Sequence, residues 1–285
     1  NESYGQTPYF RKAVIQISDK ATPVEKMIAD LLTLRLEELP GISTRTVVDS
    51  PEIGNEEILI LPGIPENNTD ISQKFGTEQI PPLTWLEPGV EGFLLKTVQE
   101  KGQTFILAAG IDERGCLYAV GELLLQISVD ENKGFTFPES LDIRTALAFE
   151  IRGTQVGQSG VSKSLGHVRD WSREETERVI LNYALAGANI FSTDSGWMYN
   201  SIKSYGLMTQ GEFGANMAGE AVPVEWNAFE SIGRSGYVCL SVPEAKVFML
   251  KKCEAYFKNA PTFDLVKFYG GDEAVASATN VILTG

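Results

Sequence analysis

The sequence is poor in the residues that most often carry chemistry by themselves, with three cysteines and one histidine in 285 residues. That scarcity speaks against a zinc site of clustered Cys and His ligands, and the odd cysteine count speaks against a disulfide framework. Cys116 and Cys253 stand among apolar residues at helical spacing and read as small buried hydrophobes. A nucleophilic triad would have to use His167, which has no nucleophile motif beside it. Long apolar runs are missing as well. None approaches the roughly 20 residues of a membrane-spanning helix, and no basic-then-apolar leader opens the chain at Asn1. The expectation is a soluble protein from which any export signal has been removed. Positive charge is scarce too. With 24 Lys+Arg against 38 Asp+Glu the net charge is −14, which repels phosphate backbones and anionic lipid, so nucleic acid is not an expected partner.

What is present is a globular composition, 43% hydrophobic and 9% aromatic, in a chain long enough for one large or two ordinary domains. The acidic excess is uneven: residues 1–144 hold 12 basic and 23 acidic residues, and the remainder hold 12 and 15. The first half alternates strands and helices. Ala13–Ser18 is a β-branched strand, and Thr22-Pro23-Val24-Glu25 forms a capping box with proline just inside a helix that ends at Pro40-Gly41. Strands follow at 44–48 and 57–61. The segment from Pro62 to Gly89 reads as loop and holds a chance glycosylation sequon, Asn67-Asn68-Thr69. A hairpin spans 92–109, and a helix begins after Gly110 with Cys116, Leu117, Val120, Leu123 and Leu124 on its buried side. Residues 129–142 turn charged and turn-forming, as a linker does. The reading is an α/β fold, with an N-terminal sandwich-like domain, a sheet with two helices, over residues 1–142.

Residues 143–285 have the rhythm of parallel βα units. Strands are expected at 148–153, 189–193, 207–210 and 264–269, with helices after Ser172, over 197–205 and after Ser241, and with a long irregular excursion over 213–236. Four such units in about 140 residues make half of a (β/α)8 barrel, which takes about 250. Active sites of such barrels lie at the carboxyl ends of the strands. The polar residues there are Arg152, Asp194, Glu212, and Asp272 with Glu273. Converging acids suit glycosidic bond cleavage, which needs a protonated carboxyl as general acid and a second group facing the positive charge that grows on the sugar carbon. This acid–base chemistry invokes no metal and no cofactor. Trp197 and Trp226 are candidates to stack on sugar faces, though packing is the commoner use of tryptophan. Asp194 also suits a helix cap, and Arg152 an ion pair with Asp142 or Glu150.

Several of these segments resemble a known group of enzymes. Ala109-Gly-Ile-Asp-Glu-Arg-Gly-Cys-Leu-Tyr-Ala-Val-Gly-Glu-Leu-Leu-Leu125 is similar to the end of the small α/β domain that precedes the barrel in hexosaminidases and α-glucuronidases. Ile151-Arg-Gly-Thr-Gln155 resembles the strand that opens those barrels, and Tyr269-Gly-Gly-Asp-Glu273 resembles the turn that ends the fourth strand of family-twenty hexosaminidases. The resemblance implies that Glu273 is the general acid, that Asp272 orients a substrate acetamido arm and that Arg152 contacts sugar hydroxyls; Asp194 and Glu212, by their strand-end positions, and Trp197, as a stacking residue, are the further substrate-binding candidates. Phe268 stands where the hexosaminidase pattern has histidine, so the α-glucuronidase type remains open beside it. The implied partner is a carbohydrate and the implied location is outside the cytoplasm, periplasmic or extracellular. The alternative reading is a non-catalytic carbohydrate-binding or assembly module, or an inactive front part of a longer enzyme. The 285-residue chain alone is expected to show no turnover.

Overall fold

Thr22 opens the first helix by accepting the Glu25 N–H at 3.1 Å, while the Glu25 carboxylate accepts the Thr22 N–H at 2.9 Å. The expected capping box is therefore complete, with Pro23 in the first turn of α1, Pro23–Glu37. This is a computed structural model, and it describes residues 8–48, 50–54, 56–75, 80–100, 102–154, 172–193, 196–228, 236–259 and 262–270. Two compact units divide the chain, one of Asn1–Phe191 with Asn200–Leu207, the other of Ser192–Tyr199 with Met208–Gly285.

The first unit is built on a six-stranded sheet. It contains β1 (Lys12–Gln16), β2 (Ser43–Val47), β3 (Glu57–Gly63), β4 (Phe93–Glu100), β5 (Gln103–Gly110) and β8 (Asp142–Thr145), in the order β2-β1-β3-β5-β4-β8. The first four in that order run parallel, whereas β4 is antiparallel to both β5 and β8. Ile15, Ile60 and Ile106 are in register and fully buried on one face. Because side chains alternate along a strand, Leu61, Leu107 and Ala109 fall on the other face. There they join Ile71 of α2 (Thr69–Lys74) with Ile80 and Leu83. The opposite row is left to α1 and to α3, Glu113–Gln126, which packs on β5. Helix α2 lies within the segment expected to be loop. Its cap is Asn68, which accepts the Ile71 N–H at 3.1 Å, and Asn67 donates to Glu25 at 2.8 Å. The sequon residues thus serve the fold.

The expected linker is packed rather than solvated. Strands β6 (Ser128–Asp130) and β7 (Gly134–Thr136) form a ribbon, and Phe135 exchanges backbone hydrogen bonds of 2.8 and 2.9 Å with Phe10. Phe135 and Phe137 are buried, each beside the Phe10 ring. The boundary expected at 142/143 falls inside β8, and the compact units part near Ser192. The physical reason is that α4, Arg173–Leu185, docks on α3. A Cβ on Gly121 would collide with the Leu185 carbonyl oxygen. Gly121→Ala is therefore expected to destabilise the protein by about 1–3 kcal/mol, the usual cost of overpacking, read as a lower urea midpoint. An unchanged midpoint would mean that α3 and α4 part freely.

Helix α4 begins, as expected, after Ser172, which forms a capping box with Glu175. Thr176, Ile180, Leu181 and Ala184 are its buried residues, whereas Tyr183 is 45% exposed. The strand expected over 148–153 is short: β9 is Gly153–Thr154, parallel to β10, Ile190–Ser192. After α5 (Gly196–Ser204), β11 runs over Met208–Gly214 and pairs in parallel with β12, Leu265–Tyr269, which follows α6, Pro243–Asn259. The strand–helix order is the expected one. Strand β11 is longer than the expected 207–210 and continues through Gly211, where the Tyr256 hydroxyl and the Phe263 ring approach the strand. Part of the excursion after β11 is tied down by bridges of Met217 with Tyr237 and of Asn227 with Val238. Ala218, Val238, Ala245 and Met249 form its core, against which Trp226 packs.

Candidate functional site

The two faces of β11 differ in kind. Gly211 and Phe213 face α6, where Phe213 meets Tyr256 at 5.4 Å and Phe268 of β12 at 5.8 Å. Alternation then sets Gln210 and Glu212 on the opposite face, together with Lys267, which is in register with Glu212. Ser192 joins them from the end of β10, where the Thr193 N–H donates to the Gln210 carbonyl at 3.0 Å. Gln210 Nε2 donates to Ser192 Oγ at 2.7 Å and reaches Glu212 Oε1 at 3.5 Å. Ser192 Oγ donates to Glu212 Oε1 at 3.4 Å, and Lys267 Nζ stands 3.9 Å from the same oxygen. A carboxylate, an ammonium, an amide and a hydroxyl thus converge on one face of these strands. Such a set both donates to and accepts from a hydroxyl-rich ligand. On the other face, Tyr256 has its phenol pushed up, first by burial and then by the Glu212 charge.

Of the residues singled out from sequence, Glu212 lies in this cluster. Trp197 is half-buried in the first turn of α5. Trp226 packs against Phe248, with ring centres 5.8 Å apart and planes tilted by 51°. Asp194, Asp272, Glu273 and His167 lie outside the described residues. In sequence, Gly270 and the Gly-Asp-Glu that follows come directly after the carboxyl end of β12. Sequence reasoning missed Ser192, Gln210 and Lys267. The signal was the period of two shared by Gln210 and Glu212 against the aromatic Phe213 and Phe268.

Arg152 is placed elsewhere, at the entrance of β9. Its Nε donates to the Gly187 carbonyl at 2.6 Å and its terminal nitrogens to the Phe149 carbonyl, to Tyr118 Oη at 3.0 Å and to the Glu91 carboxylate. The ion pair allowed for in the sequence exists, but with Glu91; Asp142 pairs with Lys96, and Glu150 offers only its carbonyl, to Asn189. Glu91, 6% exposed and at φ 56°, also holds Arg114 in an ion pair and accepts from Asn189 Nδ2 at 3.1 and 3.2 Å. Burial pushes the Glu91 carboxyl up, but the hydrogen bonds from Arg152, Arg114 and Asn189 outweigh it and hold the group below its ordinary range.

This cluster gives the Asp-Glu-Arg-Gly run its physical meaning. Asp112 caps α3 by accepting from Gly115 at 2.8 Å and also accepts the Glu91 N–H at 3.0 Å. Glu113 accepts from the Thr22 hydroxyl at 2.6 Å. Arg114 pairs with Glu91 and donates to the Gly206 carbonyl at 3.0 Å, and Gly115 leaves room for the Gly92 carbonyl. All four residues serve the fold. Cys116 beside them is buried and its thiol is pushed up by that burial, so it is unreactive, while Cys239 and Cys253 are half-buried. Among the described residues no group of three or more Cys, His, Asp or Glu side chains is placed to hold a metal ion, and no helix is long and apolar enough to cross a membrane.

No family model and no curated protein sequence matches the chain. Solved structures do. A family GH115 4-O-methyl-α-glucuronidase, BtGH115A, with specificity for decorated arabinogalactans, superposes with a TM-score of 0.54 at 20% identity, covering 88% of this chain and 34% of that one. The Flavobacterium johnsoniae chitobiase FjGH20 gives 0.54 at 15% identity, covering 94% and 43%. A GH20 exo-β-N-acetylglucosaminidase from Vibrio harveyi gives 0.51 at 13% identity, covering 90% and 43%. The chain therefore spans well under half the length of each. At such identities the likeness is one of fold, and it agrees with the resemblance read from the sequence. The chain has the α/β fold of part of these glycosidases.

Proposed function

We propose that the chain carries the first domain and the opening four βα units of a glycoside hydrolase of the hexosaminidase or α-glucuronidase type. The observation that carries the reading is the polar face of β10, β11 and β12, whose last strand runs into Gly270-Gly271-Asp272-Glu273. Glu273 is assigned as general acid and Asp272 as the group that faces the developing charge or orients an acetamido arm. Glu212, with Ser192, Gln210 and Lys267, is assigned to substrate hydroxyls. Arg152, whose donors are held by Glu91, Tyr118, Gly187 and Phe149, is assigned to fixing β9 rather than to the sugar.

A second reading is a carbohydrate-binding or assembly module without turnover, for which the donors and acceptors of Ser192, Gln210, Glu212 and Lys267 suffice without a general acid. Incubation with 4-nitrophenyl N-acetyl-β-glucosaminide and 4-nitrophenyl α-glucuronide separates the two. The 285-residue chain alone is expected to release no nitrophenol, whereas a polypeptide that supplies four further βα units is expected to hydrolyse one of them. Robust turnover by the 285 residues would overturn the half-barrel reading, and inactivity of the extended polypeptide on both would favour the binding module.

A further inference from the structure

Strand β1 ends in Gln16, whose side chain lies with Leu59, Leu61 and Phe105 on the α2 side of the sheet. With Ser50 and Asp70 these residues line a cavity of about 280 Å³. That is room for roughly nine waters at ~30 Å³ each, close to the lower limit of ~300 Å³ for small-molecule sites. Gln16 is 3% exposed. Its Nε2 donates to Asp70 Oδ2, and Ser50 Oγ donates to the same oxygen at 3.4 Å. Neither Gln16 Oε1 nor Asp70 Oδ1 receives a hydrogen bond from any described residue. Gln16 Oε1 is not cut off from solvent but opens onto the cavity, where a ligand hydroxyl can take the place of water as the donor.

The surroundings narrow what that donor is. Lys74 pairs with Glu100 at the rim, so Asp70 supplies the remaining charge of the lining, in a half of the chain with 12 basic and 23 acidic residues. An anion is disfavoured there. A bare cation would use the acceptors but not the apolar floor of Leu59, Leu61 and Phe105. A neutral sugar ring uses both, since it carries hydroxyl donors on its edge and C–H groups on its face. We propose that this cavity binds one neutral monosaccharide unit, with Gln16 Oε1 and Asp70 Oδ1 accepting from its hydroxyls. The proposal concerns binding alone and does not depend on hydrolysis.

The test is calorimetric titration of the 285-residue protein with the methyl glycosides of N-acetylglucosamine, galactose and xylose, and with glucuronate as the anionic counterpart. At least one neutral glycoside should saturate, and Asp70→Ala and Gln16→Leu should each weaken it about tenfold or more. Lys251→Ala, at an exposed position of α6, should leave it unchanged. Should Gln16→Leu fail to fold, Asp70→Ala, at a half-exposed position, decides alone. The proposal is overturned if no neutral glycoside saturates, if glucuronate binds more tightly than all three, or if affinity survives Asp70→Ala.

Discussion

Glu91→Ala is expected to lower the stability of the protein by about 3–5 kcal/mol, the cost of removing one partner from a buried ion pair. With typical folding stabilities of about 5–15 kcal/mol, that is a large share of the whole. The cost arises because Arg114 and Arg152, with 29% and 16% of their side chains exposed, lose the anion that compensates their own desolvation. Tyr118 and Asn189 lose an acceptor at the same time. Glu91→Gly separates this from backbone strain. Glycine relieves the left-handed conformation at φ 56°, worth about 1–2 kcal/mol, yet still lacks the carboxylate. It should recover part of the loss and no more. Urea denaturation at neutral pH reads both variants, and a Glu91→Gly protein as stable as the parent would sink the ion-pair account.

The same carboxyl makes stability depend on acid. Its folded pKa lies below the ordinary value of 4.5, so its contribution is complete above that value and is lost as the pH falls through the lower folded one. Glu91→Gln has no such group. The variant is expected to be less stable at neutral pH but to lose stability less steeply than the parent below about pH 4.5, a convergence visible in urea midpoints measured across the acid range.

The largest effect on activity is expected at Glu273. In a polypeptide that supplies the remaining βα units, Glu273→Gln should reduce kcat by roughly 10²–10⁴-fold, the usual contribution of a general acid. Glutamine keeps the size and hydrogen-bonding reach of the side chain but has no proton of suitable acidity for the glycosidic oxygen. Substrates with activated leaving groups need that proton less, so the loss should be smaller for a dinitrophenyl glycoside than for an alkyl glycoside. A uniform loss on both, or no loss, would remove Glu273 from the role.

Local rules proved sufficient for much of the chain. The capping boxes at Thr22 and Ser172, the β4–β5 hairpin and the order of strands and helices follow from short-range hydrogen bonding and from hydrophobic period. Glu212 was singled out as an acid following a strand that ends at 210, whereas it lies inside β11 because that strand runs on to Gly214. Its companions Ser192 and Lys267 were not singled out, because a strand's alternation says that side chains share a face but not which neighbouring strands bring theirs beside it. Residues 129–142 looked like a linker because turn-forming residues surround Phe135 and Phe137, and only the approach of Phe10 gives those rings a core to enter.

By itself, then, the sequence determined the α/β class, the succession of elements, the lack of a long apolar run and the resemblance to glycosidases. The tertiary structure alone decided that Arg152 turns to Glu91, that the Asp-Glu-Arg-Gly run braces α3 against its neighbours, and that the compact units part near Ser192. The reason is range. Caps and periodicity act over three or four residues, whereas Glu91 gathers donors 23, 61 and 98 positions away, and only the folded chain brings such distant groups together.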